Sequence, residues 1–96
     1  MLEQKNNISF REKLFEISKE EQLEKREKMF FDELEIKLKN AEETRLPAQL
    51  FETLFNLDFH RGVIHVIPLN IVRKFKAKGF RVAKIRNKHQ VKVKKL

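Results

Sequence analysis

The sequence contains no cysteine, tryptophan or tyrosine, and only two glycines and two prolines among 96 residues. The lack of cysteine excludes disulfide bonds, thiol catalysis and thiolate zinc sites, and makes a reducing interior the natural location. No apolar run approaches the roughly 18 residues of a membrane span, and the N-terminal MLEQKNNIS has no signal-peptide core. These absences predict a soluble, cytoplasmic protein.

Residues that could carry catalysis are few. Only four side chains carry a hydroxyl group: Ser9, Ser18, Thr44 and Thr53. Ser9 is better explained as a helix cap, and two isolated glycines cannot form a phosphate-cradling loop. The glutamates fall on predicted wet helix faces, which lack the sheltered pocket that pKa tuning requires. We therefore expect a protein that is not an enzyme and has no cofactor.

The three histidines could in principle meet at one metal ion. His60, His65 and His89 match no known spacing of metal ligands, however, and the basic residues around them oppose a cation. We expect exposed polar side chains and no metal site.

The charges divide sharply along the chain. Residues 1–58 hold all fourteen acids and ten Lys/Arg, a net charge of −4, whereas residues 59–96 hold twelve Lys/Arg and no acid. Such asymmetry indicates an anionic partner, which could be nucleic acid, an acidic protein or a membrane surface. A membrane is disfavoured because the cations lie mainly on predicted strands, without an amphipathic helix free to insert.

The N-terminal part predicts a long helix. Ser9 and Glu12 have the spacing of a capping box, and no glycine or proline follows until Pro47. We predict one helix over about residues 9–42, roughly 50 Å long. Residues 18–28 (SKEEQLEKREK) offer only Leu23 as an apolar side chain, so the alternative is a break near the middle and a helical hairpin.

A continuous helix would hold an apolar patch beyond the reach of the rest of the chain. Exposed patches of this kind usually mark interfaces. We therefore predict a homo-oligomer that assembles through Phe10, Leu14, Phe15 and Ile17.

The remainder predicts a small mixed domain. We predict a short amphipathic helix in LPAQLFETLFNL, around Pro47, and a strand in VIHVI. Asn70 is predicted to cap a further helix that ends before Gly79. FRVAKI and QVKVKK then form a hairpin. The predicted class is α+β, with a long helix, a short helix and a β-α-β-β unit containing a small three-stranded sheet. Residues 1–43 would be an assembly arm and residues 44–96 a compact basic domain.

Alternation along the two last strands predicts which face of the sheet is wet. Val91 and Val93 point inward, so Lys92 and Lys94 point outward. In the preceding strand Phe80 and Val82 conflict with the apolar residues at 83 and 85, which suggests a bulge or a slightly different strand start. The predicted core is Phe51, Leu54, Val66, Ile71, Phe75, Val82 and Val91.

Two of the nine phenylalanines, Phe75 and Phe80, lie among basic residues, as base-stacking rings often do. Because nearly every phenylalanine falls on a predicted apolar face, core packing is the better interpretation for these two as well.

The segment from Val63 to Val93 contains a strand, a Pro/Asn-capped helix, the junction Lys78-Gly79-Phe80-x-Val82 and a tight hairpin. This pattern resembles small accessory proteins of tailed phages in which a polar N-terminal helix precedes a β-α-β-β unit. The resemblance implies a viral protein, acting in the host cytoplasm, that coats nucleic acid, assists assembly or blocks a host factor. It transfers no functional residue.

From the residues, we expect a small binding protein whose basic domain contacts nucleic-acid phosphates, DNA or RNA, with little sequence specificity. The alternative is a phage-type inhibitor or scaffold that binds an acidic host or virion protein. The candidate phosphate-binding residues are Arg73, Lys74, Lys76, Lys78, Arg81, Lys84, Arg86, Lys88, Lys92 and Lys94.

Overall fold

The computed structural model describes residues 9–57, 67–85 and 88–96. These residues form four helices and three strands in the order α1 (Phe10–Ile17), α2 (Leu23–Lys37), β1 (Glu43–Pro47), α3 (Ala48–Phe55), α4 (Leu69–Ala77), β2 (Phe80–Ile85) and β3 (Gln90–Lys95). The strands form one antiparallel sheet in the order β1-β3-β2. The predicted α+β class, with a small three-stranded sheet, is confirmed.

The predicted continuous helix is wrong, because the chain leaves helical geometry between Ile17 and Leu23. The capping box at Ser9 and Glu12 is present and starts α1. The break coincides with the stretch poor in apolar residues, and α1 packs against α2, with Lys13 Nζ 3.5 Å from Glu33 Oε1. The helical hairpin, which was the alternative, is the observed arrangement.

Folding back buries the apolar side of α1, which accounts for the break. Leu14 is fully buried and Ile17 is nearly so. Burying each such side chain contributes about 1.5–3 kcal/mol, whereas a lost helical hydrogen bond is worth about 0.5–1.5 kcal/mol net. Ser18 also offsets part of that loss, because its hydroxyl donates to the carbonyl of Phe15.

The self-association patch is therefore not formed. Leu14 and Ile17 lie in the core, Phe10 is partly buried against it, and only Phe15 remains well exposed. Three of the four side chains predicted to form the interface between two copies therefore pack within their own chain. Because α1 and α2 share one cluster of buried residues with the sheet, the core also crosses the predicted boundary between residues 43 and 44.

The third strand of the sheet is β1, which the sequence did not reveal. Its residues pair with β3 from Glu43 opposite Lys94 to Pro47 opposite Gln90. The pairing is extended at both ends, since the Ala48 amide donates to the His89 carbonyl at 2.8 Å and the Lys95 amide to the Glu42 carbonyl at 3.3 Å. The strand predicted at VIHVI falls on residues 63–67, of which only Ile67 is described, outside any strand.

Strand β2 pairs with β3 in an unbroken register from Phe80 opposite Lys95 to Ile85 opposite Gln90, so the predicted bulge is wrong, and the strand begins at Phe80, so a different strand start is wrong as well. Phe80 and Val82 face the core, and Ala83 is exposed on the opposite face. Helix α4 begins after Pro68, which leaves Asn70 inside the first turn without a capping hydrogen bond. Gly79 has a φ of 90°, as the predicted left-handed helix end requires.

The core is built around phenylalanine rings. Six of the eight described phenylalanines are buried: Phe30, Phe31, Phe51, Phe55, Phe75 and Phe80. Phe75 lies among four others, with ring centroids 4.8 to 5.9 Å away. The predicted core residues are all buried except Val66, which lies outside the described residues. Core packing is thus confirmed for Phe75 and Phe80.

Candidate nucleic-acid interface

The described helices cover one face of the sheet and leave the other uncovered. Val91, Val93, Val82 and Leu46 are buried on the inner face, in the same cluster as the apolar side chains of the four helices. The residues that alternate with these along each strand lie on the outer face, and none of the described helices packs there. The alternation predicted for Lys92 and Lys94 is confirmed.

The outer face carries four cations, and we call this set the basic sheet face: Arg45, Arg81, Lys92 and Lys94. The register places Arg45 directly opposite Lys92 and Arg81 directly opposite Lys94. Each strand therefore contributes, with two cations on the central strand β3. The set forms a zigzag that crosses the sheet from one edge to the other.

Sheet geometry sets the spacing of this zigzag. Neighbouring strands lie about 4.8 Å apart and alternate residues along a strand about 6.7 Å apart, so the outermost Cα atoms, those of Arg45 and Arg81, are separated by about 12 Å. Lys92 and Lys94 are half-buried, whereas both arginines are exposed. Half-burial of a lysine is compatible with a stem lying along the sheet and a charged head in water.

One acid shares the outer face. Glu43 lies opposite Lys94, and its Oε2 is 3.7 Å from the Arg45 Nε. Both side chains are more than a third exposed, so this ion pair is weak and leaves Arg45 available to an anion. Arg81, Lys92 and Lys94 form no ion pair within the described part of the chain.

The predicted cations of α4 lie elsewhere. This helix buries Ile71 and Phe75 against the inner face, so its exposed side chains belong to the layer on the other side of the sheet. Lys74 is already paired, with its Nζ 3.0 and 3.1 Å from the two carboxylate oxygens of Glu27. Lys78 Nζ lies 5.9 Å from the centre of the Phe31 ring. Arg73 and Lys76 are exposed.

The hairpin between β2 and β3 holds the remaining predicted cations. Lys84 faces the inner side, and its Nζ donates to the carbonyls of Ile85 and Lys88, at 3.2 and 2.6 Å. Lys88 is exposed in the turn, and Arg86 lies outside the described residues. Of the ten predicted residues, the structure thus brings together only Arg81, Lys92 and Lys94 on the open sheet face.

Arg45 is the member of the face that sequence reasoning missed. It belongs to the half of the chain with net negative charge, and it lies in β1, which was not predicted as a strand. The available signal was the alternation of Thr44 and Leu46 with Glu43 and Arg45. That signal is short, and it depends on a partner strand some 45 residues further along the chain.

A separate groove of about 450 Å³ lies between α1 and α3. Its lining combines one cation, apolar side chains and small polar groups: Arg11, Phe15, Ser18, Pro47, Gln49, Leu50 and Thr53. Phe15 is 58% exposed, with Lys19 Nζ 5.4 Å from its ring centre. Arg11 has no acidic partner among the described residues.

The metal hypothesis concerns residues that are mostly not described. His60 and His65 fall outside the described residues, and His89 is exposed at the hairpin. Within residues 9–57, 67–85 and 88–96, no three His, Asp or Glu side chains are grouped so that they could hold a metal ion. In the same ranges, no helix is both long enough and apolar enough to cross a bilayer.

No protein-family model, curated protein or solved structure matches the chain. The resemblance to tailed-phage accessory proteins therefore stays a prediction, and the site has to be interpreted from its own residues.

Proposed function

We propose that the protein is a non-enzymatic binding protein whose basic sheet face contacts nucleic-acid phosphates. The observation that supports this is the concentration of four cations against one acid on the sheet face that the described helices leave open. Lysine and arginine bound to phosphates release condensed counterions, and this release supplies most of the affinity of non-specific complexes.

Little sequence specificity is expected from such a face. Phosphate contacts fix the position of a protein on nucleic acid without reading the bases. A major groove about 12 Å wide admits a helix or a two-stranded ribbon, whereas this face extends over three strands. It is therefore suited to lie across the backbone. We propose a cytoplasmic location for this activity, in the host cytoplasm if the protein is a viral accessory protein.

The dependence of affinity on salt tests the proposal. Four phosphate contacts on a duplex give a slope of log affinity against log salt of about −3.6. Raising the salt from about 50 to about 200 mM should then weaken binding about 150-fold. The measurement is fluorescence anisotropy with a labelled duplex of about 20 base pairs.

Arg45 offers a residue-level form of the same test. Arg45→Gln should make the slope less steep by about 1, because one phosphate contact is lost. Arg73→Gln is the matched control, since it removes the same charge from α4 and should leave the slope unchanged. Binding weaker than about 100 µM at the lower salt, where non-specific complexes are usually tighter, would contradict the proposal.

A second candidate function, binding of an acidic host or virion protein, is favoured by the groove between α1 and α3. An exposed phenylalanine beside an arginine that has no acidic partner among the described residues is suited to an apolar side chain next to a carboxylate. Pro47 lines the groove and also lies on the outer face of β1, two residues from Arg45. The two candidates still depend on different side chains, since Arg11 and Phe15 belong to the groove and the four cations belong to the basic sheet face.

A peptide array tests this second candidate. Peptides that place glutamate or aspartate beside leucine or phenylalanine should bind the parent protein and should bind Phe15→Ser at least about fivefold more weakly, since a buried aromatic anchor usually contributes over 1 kcal/mol. Phe15→Leu keeps the apolar contact and serves as the control. Equal binding of all three proteins would exclude the groove as the site.

A further inference from the structure

We infer that the basic sheet face prefers double-stranded to single-stranded nucleic acid, an inference that rests on the proposed function. Two features of the described face carry it. One is the chemistry of the side chains between the cations, and the other is the arrangement of the cations themselves.

The strand positions on the outer face offer no ring to an unpaired base. Apart from the four cations, the outer-face positions of the three strands hold Glu43, Pro47, Ala83, Ile85 and Gln90, none of which is aromatic. The rings that the sequence places near basic residues, those of Phe75 and Phe80, are buried in the core. Proteins that bind single strands without sequence preference depend on aromatic side chains that stack with successive bases. The described strand residues of this face do not supply that source of affinity.

The cations are also spread across the sheet and do not follow one line. Arg45 and Arg81 lie on opposite edge strands, about 12 Å apart at their Cα atoms by sheet geometry. Single-strand binders usually provide a groove that tracks one backbone, and the groove described above lies between α1 and α3 and does not follow these four cations. A broad array suits a duplex, which presents two backbones and one charge per about 1.7 Å of axis.

Counterion release gives the size of the preference. Each contact changes the salt slope by about 0.9 for a duplex and about 0.7 for a single strand, so four contacts give slopes of about −3.6 and −2.8. If the two lines meet near 1 M salt, where the electrostatic part vanishes, the duplex should bind about tenfold more tightly at about 50 mM.

The test compares one labelled strand of about 20 nucleotides, alone and annealed to its complement, by fluorescence anisotropy at about 50 mM salt. Tighter binding of the duplex, by about tenfold, is expected. Single-strand binding that is equal or tighter, and that is weakened by Lys92→Gln with Lys94→Gln, would overturn the duplex preference while leaving the proposed function intact. Failure of both forms to bind would overturn the proposed function and the preference with it.

A gain-of-function variant tests the missing ring directly. Ala83 is exposed on the edge strand β2 and lies opposite Lys92 of the central strand. Ala83→Phe should raise single-strand affinity by roughly fivefold or more through stacking with one base, and should change duplex affinity much less. Ala83→Val is the matched control, because it is apolar and suited to a strand but cannot stack. An equal change for the two nucleic acids in Ala83→Phe would count against the inference.

Discussion

Replacing Phe75 with alanine should lower the free energy of unfolding by about 3–5 kcal/mol. The ring is fully buried, and its centre lies 4.8 Å from that of Phe31 and 5.4 Å from that of Phe55. Its removal would leave a cavity where α2, α3 and α4 meet. Domains of this size are stable by roughly 5–15 kcal/mol, so the substitution should remove a large part of the total. Urea unfolding followed by circular dichroism measures the loss.

Phe15→Ala provides the control for this experiment. The same side chain is removed, but Phe15 is 58% exposed, so the change should stay within about 0.5 kcal/mol. Melting of Phe75→Ala within about two degrees of the parent would mean that the ring is not packed as described, since a loss of only 1 kcal/mol shifts the midpoint by about 4–8 °C.

Local sequence signals predicted the starts of helices but not the break between α1 and α2. Ser9 and Glu12 start α1 as the capping box predicts, and the short helix after Pro47 forms as its apolar spacing predicts. The break after Ile17 could not be derived locally, because no glycine or proline marks it. It follows from the burial of Leu14 and Ile17 against the rest of the chain, a tertiary contribution that exceeds the helix propensity of residues 18–22.

The two hairpin strands of the sheet were predicted and β1 was not, while the strand predicted at VIHVI lies almost wholly outside the described residues. The hairpin of β2 and β3 is local, and the alternation around Val91 and Val93 correctly identified its wet face. Strand β1 has only Thr44 and Leu46 on its inner side, a pattern too short to separate from an extended link. Its pairing depends on a distant strand, which single-sequence reasoning does not supply.

The candidate site, too, was predictable only in part. A run of cations without acids was visible in the sequence, but the sequence could not show how many share one surface. Strand pairing places Arg81, Lys92 and Lys94 on the same face of the sheet. It also brings Arg45, from the acidic half of the chain, to that face. The α4 cations are separated from them by the core, which a charge count cannot reveal.

Reversing two charges on the sheet should reduce duplex affinity by more than about 100-fold at about 50 mM salt, because two of four phosphate contacts are lost and two repulsions are added. The variant is Lys92→Glu with Lys94→Glu. Both residues lie on the central strand of the open face, so their substitution does not disturb the inner face, where Val91 and Val93 are fully buried. Circular dichroism of the variant should match that of the parent.

Arg73→Glu with Lys76→Glu is the control that separates surface from net charge. It changes the formal charge from +8 to +4, as the sheet variant does, but on exposed positions of α4. Long-range repulsion alone is screened beyond about 10 Å at 0.1 M salt, so the control should lose less than about fivefold. Similar losses in the two variants would show that binding follows net charge and would remove the basic sheet face as the site, whereas a loss confined to the sheet variant places the contact where the strand register brings the four cations together.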